Sequence, residues 1–147
     1  MNRCVIDASA LVKLVVPETD SEAMHTLAAC FRNGQIQLLA PDYILVECAN
    51  VLWKYARQTQ TPESDVREAF QVIRRLGVEL VPQVLLLEAA LSLALEHKQP
   101  VYDALYLALA HQENAALITA DERLANTVAT QGFSIVLLSE WRPTEEH

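Results

Sequence analysis

Short apolar runs separated by amphipathic stretches follow one another along nearly the whole chain, and this alternation restricts the fold more than any other feature. Cys4-Val5-Ile6, Gln37-Leu38-Leu39-Ala40, Val78-Glu79-Leu80-Val81, Ala116-Leu117-Ile118-Thr119 and the stretch 133–138 each have strand length, and helical patterning fills the intervals. Strands alternating with helices call for a parallel sheet covered by helices, an α/β domain. With 147 residues, 52% of them hydrophobic, and only three glycines, the chain has material for one domain with a substantial core.

Punctuation bounds the helices. After a first strand at 2–6, a helix runs over 9–16 until Pro17 stops it, and a second covers 20–32 before Asn33-Gly34. A long helix opens at Pro41-Asp42 and reaches about Gln58. The next begins at Thr61-Pro62, with Thr61 as N-cap, and ends at Gly77. Residues 84–97 are apolar on most faces, which predicts a deeply buried helix. Helices at 102–113 and 121–130 then bracket the strand at 115–119, and the polar tail from Arg142 is expected to be loosely ordered.

Four acids occupy matching places in this scheme: Asp7 ends the first strand, Asp121 follows the fourth, Glu47 lies early in the helix leaving the second, and Asp103 opens the helix that feeds the fourth. Parallel strands all end at one edge of the sheet, so the four should share it. Carboxylates gathered without cations repel, and either one protonates or the site splays. A hard divalent cation resolves the conflict, since Mg²⁺ takes carboxylate oxygens, waters and substrate phosphates. The pattern therefore points to metal-dependent phosphodiester chemistry. Taken singly, Asp103 and Asp121 also suit helix N-termini, and Thr119-x-x-Glu122 fits a capping box. Glu47, among Ile44, Leu45, Val46, Cys48, Val51 and Leu52, resists that explanation, because an unpaired buried carboxylate is costly.

Ser9 and Thr119 each stand two residues from a candidate acid, where a hydroxyl can orient a carboxylate or cap a helix. Asn50 falls one turn from Glu47; Lys54 and Arg57 continue that stripe and, with Lys13, are candidate phosphate contacts or parts of a solvated face. Trp53, Tyr43 and Phe70 read as core rather than base-stacking surfaces. His25, His97, His111 and His147 lack metal-ligand spacing. A net charge of −8 speaks against a general nucleic-acid binder and predicts modest, salt-sensitive affinity for polyanions. Cys4, Cys30 and Cys48 are odd in number and sit in apolar contexts, which suits buried free thiols in a reducing cytoplasm. No apolar run reaches the ~18 residues a membrane span needs, and Met1-Asn2-Arg3 leads straight into a strand without the look of a signal peptide.

Asp7-Ala8-Ser9-Ala10-Leu11, Pro41 through Glu47 to Asn50, Tyr102-Asp103-Ala104-Leu105-Tyr106 and Thr119-Ala120-Asp121 resemble, in order and interval, the motifs of PIN-domain nucleases, most of all the small VapC-type ribonuclease toxins. The resemblance covers residues 3–138. It implies a three-layer α/β/α sandwich with a central parallel sheet of about five strands. It also implies an endoribonuclease using Mg²⁺ or Mn²⁺, with Asp7 as central ligand, Asp103 its partner, and Glu47 and Asp121 completing one or two cation sites. A cognate antitoxin covering the acidic groove and a homodimer follow as expected partners, with the helices at 20–32 and 62–76 as candidate faces. The alternative is a PIN fold that only holds RNA or acts as a scaffold, against which the presence of all four acids speaks. Asp7-Ala8-Ser9 speaks against an aspartyl-phosphate enzyme, because it lacks the second Asp such chemistry uses as general acid.

Overall fold

The computed structural model describes residues 2–144, so the last part of the expected loose tail, 145–147, lies outside the described residues. Five strands form one parallel sheet: β1 (Asn2–Ile6), β2 (Ile36–Pro41), β3 (Glu79–Val81), β4 (Ala116–Thr119) and β5 (Ile135–Leu137), in the order β3-β2-β1-β4-β5. Val5 pairs with Leu39 on one side and Leu117 on the other, so β1 is central, and its apolar run reflects burial on both faces. The chain builds outward from β1 to β3 and then returns to lay β4 against the other side of β1. The strand order therefore reverses between β1 and β4, the place where open α/β sheets bind ligands beyond the strand ends.

Seven α-helices connect these strands among the described residues: α1 (Ala8–Leu11), α2 (Ser21–Arg32), α3 (Tyr43–Thr59), α4 (Glu63–Leu76), α5 (Leu87–His97), α6 (Val101–Gln112) and α7 (Glu122–Val128). The first is shorter than the expected 9–16, giving way to a 3-10 turn at Val12–Leu14. Val12, Val15 and Val16 are stiff at χ1 and weak helix formers, and Pro17 follows. Gly77 ends α4 at φ 84°, as its position predicted, but Thr61 does not cap that helix. Its hydroxyl is bonded to that of Thr59 at 2.6 Å, and Pro62 occupies the cap position.

The expectation of a deeply buried helix over 84–97 is overturned. In α5 only Ala90 is buried, while Leu95 is 75% exposed and Leu91 52%. The buried helix is α6, in which every residue from Ala104 to Ala110 is buried and which lies across β1, β2 and β4. Two successive apolar helices competed for the interior, and the one feeding β4 beside the central strand took it; α5 packs on α6 from outside. Cys4, Cys30 and Cys48 are buried free thiols, as expected. No helix among the described residues is long and apolar enough to cross a membrane.

Candidate active site

The polypeptide leaves β1 at Asp7, whose N–H still donates to Ile118 O of β4 at 3.2 Å. That ladder bond fixes Asp7 where the strand order reverses, 6% exposed. Its carboxylate is held from three sides. Ser9 Oγ donates to Oδ1 at 2.6 Å, Ala10 N donates to Oδ1 at 3.2 Å as the N-cap bond of α1, and Thr119 Oγ1 donates to Oδ2. Thr119, at the end of β4, is itself fully buried. The two hydroxyls also accept backbone donors: Ser9 Oγ from Ala120 N at 3.0 Å and Thr119 Oγ1 from Asp121 N at 3.1 Å. Ser9 and Thr119 thus stitch the end of β1 to the end of β4 around Asp7, which is the orienting role their spacing suggested.

Asp121 sits just beyond β4 as the N-cap of α7, its Oδ1 accepting from Leu124 N at 3.0 Å. The cap of that helix is therefore Asp121 and not Thr119, so the capping box at Thr119-x-x-Glu122 does not form. Asp103 lies in the first turn of α6, half-buried, with Arg123 4.0 Å from its Oδ2. The Arg123 side chain is mostly exposed, so this pair adds little stability. Glu47 comes from the second turn of α3, partly buried, and Tyr106 Oη donates to its Oε1 at 2.5 Å. Tyr106 is the residue that sequence reasoning missed. The available signal was its place in the Asp103 motif, since a buried tyrosine hydroxyl needs a partner.

Burial and neighbouring charge act together on the acids. Burial pushes Asp7 up from the ordinary 3.8 to about 6, against the hydrogen bonds from Ser9, Thr119 and Ala10, and the charge of Asp121 adds to the rise. Burial also raises Glu47; the Tyr106 hydrogen bond opposes this, while the charges of Asp7 and Asp103 reinforce it. Asp103 is raised by burial and then by Asp121, with Arg123 opposing. Asp7 and Asp103 thus each respond to the charge of Asp121, and Glu47 to those of Asp7 and Asp103, which puts the four acids near one another at the carboxyl edge of the sheet. Among the described residues no three acidic, histidine or cysteine side chains already stand at the spacing that grips a single ion. The acids offer oxygen donors only, and the neighbouring Cys48 thiol is fully buried and pushed up by that burial, so the donor set fits a hard divalent cation such as Mg²⁺ or Mn²⁺.

The remaining candidates divide. Asn50 is exposed on α3, and among the described residues no hydrogen bond joins it to the acids. Lys13 is turned into its own loop: Nζ donates to Thr19 O at 2.7 Å and to Glu18 Oε2 at 3.3 Å. Lys54 and Arg57 are exposed on α3, with the Arg57 guanidinium 4.8 Å from the centroid of the Trp53 ring. Trp53 is not core, as its type suggested, but 53% exposed; Tyr43 and Phe70 do pack against the core.

Comparison with known proteins accords with this geometry. The sequence profile of the PIN domain family matches residues 4–129. The chain is 36% identical to "Ribonuclease VapC3" of Pyrobaculum aerophilum over 127 residues, 84% of this chain and 92% of that protein. It is 35% identical to "Ribonuclease VapC9" of Mycobacterium tuberculosis, with 86% and 92% covered. Among solved structures, PAE2754 from Pyrobaculum aerophilum superposes with a TM-score of 0.69 at 21% identity, covering 94% of this chain and 92% of that one. A toxin-antitoxin complex from Klebsiella pneumoniae gives a TM-score of 0.59 at 19% identity, covering 97% and 99%.

Proposed function

Because the chain belongs to the PIN domain family, we propose that it is an endoribonuclease of the VapC kind, the toxin of a toxin–antitoxin pair, working with Mg²⁺ or Mn²⁺. The observation that carries this reading is the gathering of Asp7, Glu47, Asp103 and Asp121, near enough for neighbouring charges to be felt, at the point where the strand order reverses. Asp7 and Asp103 would be the principal metal ligands, with Glu47 and Asp121 completing one or two cation positions. When bound, the divalent ion supplies a Lewis acid for the scissile phosphate and lowers the pKa of an attacking water. Ser9 and Thr119 hold the Asp7 carboxylate in one orientation, so that little reorganisation is needed on loading. Tyr106 does the same for Glu47 and stays a proton donor, because burial, followed by the charge of Glu47, raises its pKa. The proposal includes no covalent enzyme intermediate: direct attack by water leaves a 5′-phosphate and a 3′-hydroxyl.

Two surfaces suit the expected partners. Val84, Leu85, Leu87, Leu91 and Leu95 form an exposed aliphatic face on and just before α5, and a second copy of the chain is the proposed occupant. An apolar cleft between α3 and α4, lined by Ala49, Leu52, Val66 and Phe70 with Glu63 and Arg67 at its rim, adjoins the acid-bearing helix and suits an antitoxin segment. The helix at 62–76 is thus kept as a candidate partner face, and α5 joins it.

The test is cleavage of a diverse RNA pool by the purified chain in Mn²⁺ or Mg²⁺ against EDTA. Metal-dependent fragments with 5′-phosphates, absent from Asp7→Asn, are expected. No cleavage by metal-loaded protein would favour the reading in which the fold only holds RNA.

A further inference from the structure

An acidic domain that handles RNA meets an electrostatic problem. The chain carries −8 overall, the acid cluster adds local negative potential, and Lys13 is engaged by Glu18 and Thr19. Phosphate contacts alone therefore give the substrate little hold. Beside the cluster stands an exposed aromatic side chain. Tyr102 immediately precedes Asp103 and is 58% exposed. It stacks on Tyr43, with ring centroids 6.3 Å apart and planes 22° from parallel. Tyr43 and Tyr102 occupy the first turns of α3 and α6, and one turn further along each helix stand Glu47 and Tyr106, joined by their hydrogen bond. The tyrosine pair is thus the rim directly above the acids.

A second aromatic station stands on α3. Trp53 is ten residues beyond Tyr43, about 15 Å along the helix at about 1.5 Å per residue. Over that distance a single strand stacked at about 3.4 Å per nucleotide places roughly four bases. Between and beside the two stations lie Asn50, Lys54 and Arg57, all exposed, so that Lys54 and Arg57 add positive charge along the strip, as Arg123 does beside Asp103. One face of the Trp53 indole is covered by Arg57, and half of the side chain remains open.

Resting on the ribonuclease reading, we infer that Tyr102 and Trp53 are the base-stacking positions for a strand laid along α3, one base seated on Tyr102 beside the acid cluster and another on Trp53. Stacking serves any base, because every base has a π-face, and it works without a basic surface. A duplex keeps its bases stacked on one another and cannot use either ring. Tyr102 is a positioning residue: with a base pinned on it, the adjoining phosphate is delivered to the carboxylates.

The experiment compares Tyr102→Ala, Tyr102→Phe and Trp53→Ala with wild type in Mn²⁺ on single-stranded RNA that the wild type cuts. Loss of one stacked base should raise KM by about 5- to 100-fold, with a smaller change in kcat, and Tyr102→Phe should restore nearly all of it. If wild type cuts and Tyr102→Ala matches it, the stacking role is wrong while the nuclease reading stands. The parallel measurement needs no catalysis: Trp53 emission in a Trp141→Phe background, titrated in EDTA with single-stranded or duplex RNA. Quenching by single strands alone, weakened by Tyr102→Ala, supports the stacking strip even should wild type prove inactive. Equal response to duplex, or none to either, overturns it and leaves the exposed aromatics to a protein partner.

Discussion

Replacing Asp7 by asparagine should stabilise the protein in the absence of divalent ions, although it removes a side chain with three hydrogen-bond donors around it. Asp7 is almost wholly buried, and its carboxyl titrates near 6 rather than the ordinary 3.8. A raised carboxyl pKa means that the folded state binds the proton more tightly than the unfolded chain. The resulting stability is fully present below about pH 3.8 and is lost as pH rises through about 6. The gap of roughly two pH units, at about 1.4 kcal/mol each, puts the cost of the ionised group at about 3 kcal/mol at pH 7.5. Asparagine removes that charge and keeps one carbonyl to accept from Ser9 and Ala10. The amide would then donate to Thr119 Oγ1, whose proton can turn toward Ser9 Oγ, 3.2 Å away. A net gain of about 1–3 kcal/mol remains, or roughly 3–10 °C in Tm for a domain of this size. The assay is thermal unfolding in EDTA at pH 7.5 and pH 4.5. The advantage of Asp7→Asn should be clear at the higher pH and small at the lower, where the native carboxyl holds its proton. Adding Mn²⁺ to about 100 times its Kd should raise wild type by about 2.7 kcal/mol and leave the variant nearly unmoved. A variant that melts below wild type in EDTA at pH 7.5 would refute the reasoning, because Asp7 would then be a structural cap whose bonds outweigh its charge.

Other expectations follow from the same geometry. Thr119→Val keeps the buried shape but removes a donor that holds Asp7 down, so the Asp7 carboxyl should move further above 6 and stability fall by about 1–3 kcal/mol in urea unfolding. Protons and cations compete for the same carboxylates, so Mn²⁺ affinity measured by calorimetry should fall as pH drops through about 6, and flat affinity between pH 5 and 7.5 would count against Asp7 as a ligand. Leu91→Asp together with Leu95→Asp should convert a dimer to a monomer in light scattering without lowering Tm, since both side chains are exposed; a mass unchanged by the substitutions would move the dimer face elsewhere.

The sequence carried the placement of the acids because a parallel sheet leaves few alternatives. Asp7 and Asp121 follow apolar runs too short for anything but strands, and parallel strands end together. Glu47 stood out as a carboxylate in an oily helix, and its buried partner Tyr106 was present in the Asp103 motif without being identified as such. Two features were illegible for definite reasons. Helices α5 and α6 are both apolar on most faces, and only the three-dimensional path decides that α6 crosses the sheet while α5 covers it. Val46 and Trp53 lie seven residues apart on one side of α3, a spacing that periodicity assigns to the core, yet both face solvent. The short α1 reflects a local conflict between apolar helical spacing and β-branched residues that shorten it.

The central claim is that Asp7, Glu47, Asp103 and Asp121 converge to hold a divalent cation. Anomalous diffraction from crystals grown or soaked in Mn²⁺ tests it most directly, because the ion is located without any assumption about substrate. The account predicts a peak within coordination distance of Asp7 and Asp103, reached also by Glu47 or Asp121 directly or through water, and no peak there in Asp7→Asn crystals. Ordered Mn²⁺ elsewhere on the chain, with the four carboxylates still apart and bare at saturating concentration, would contradict it.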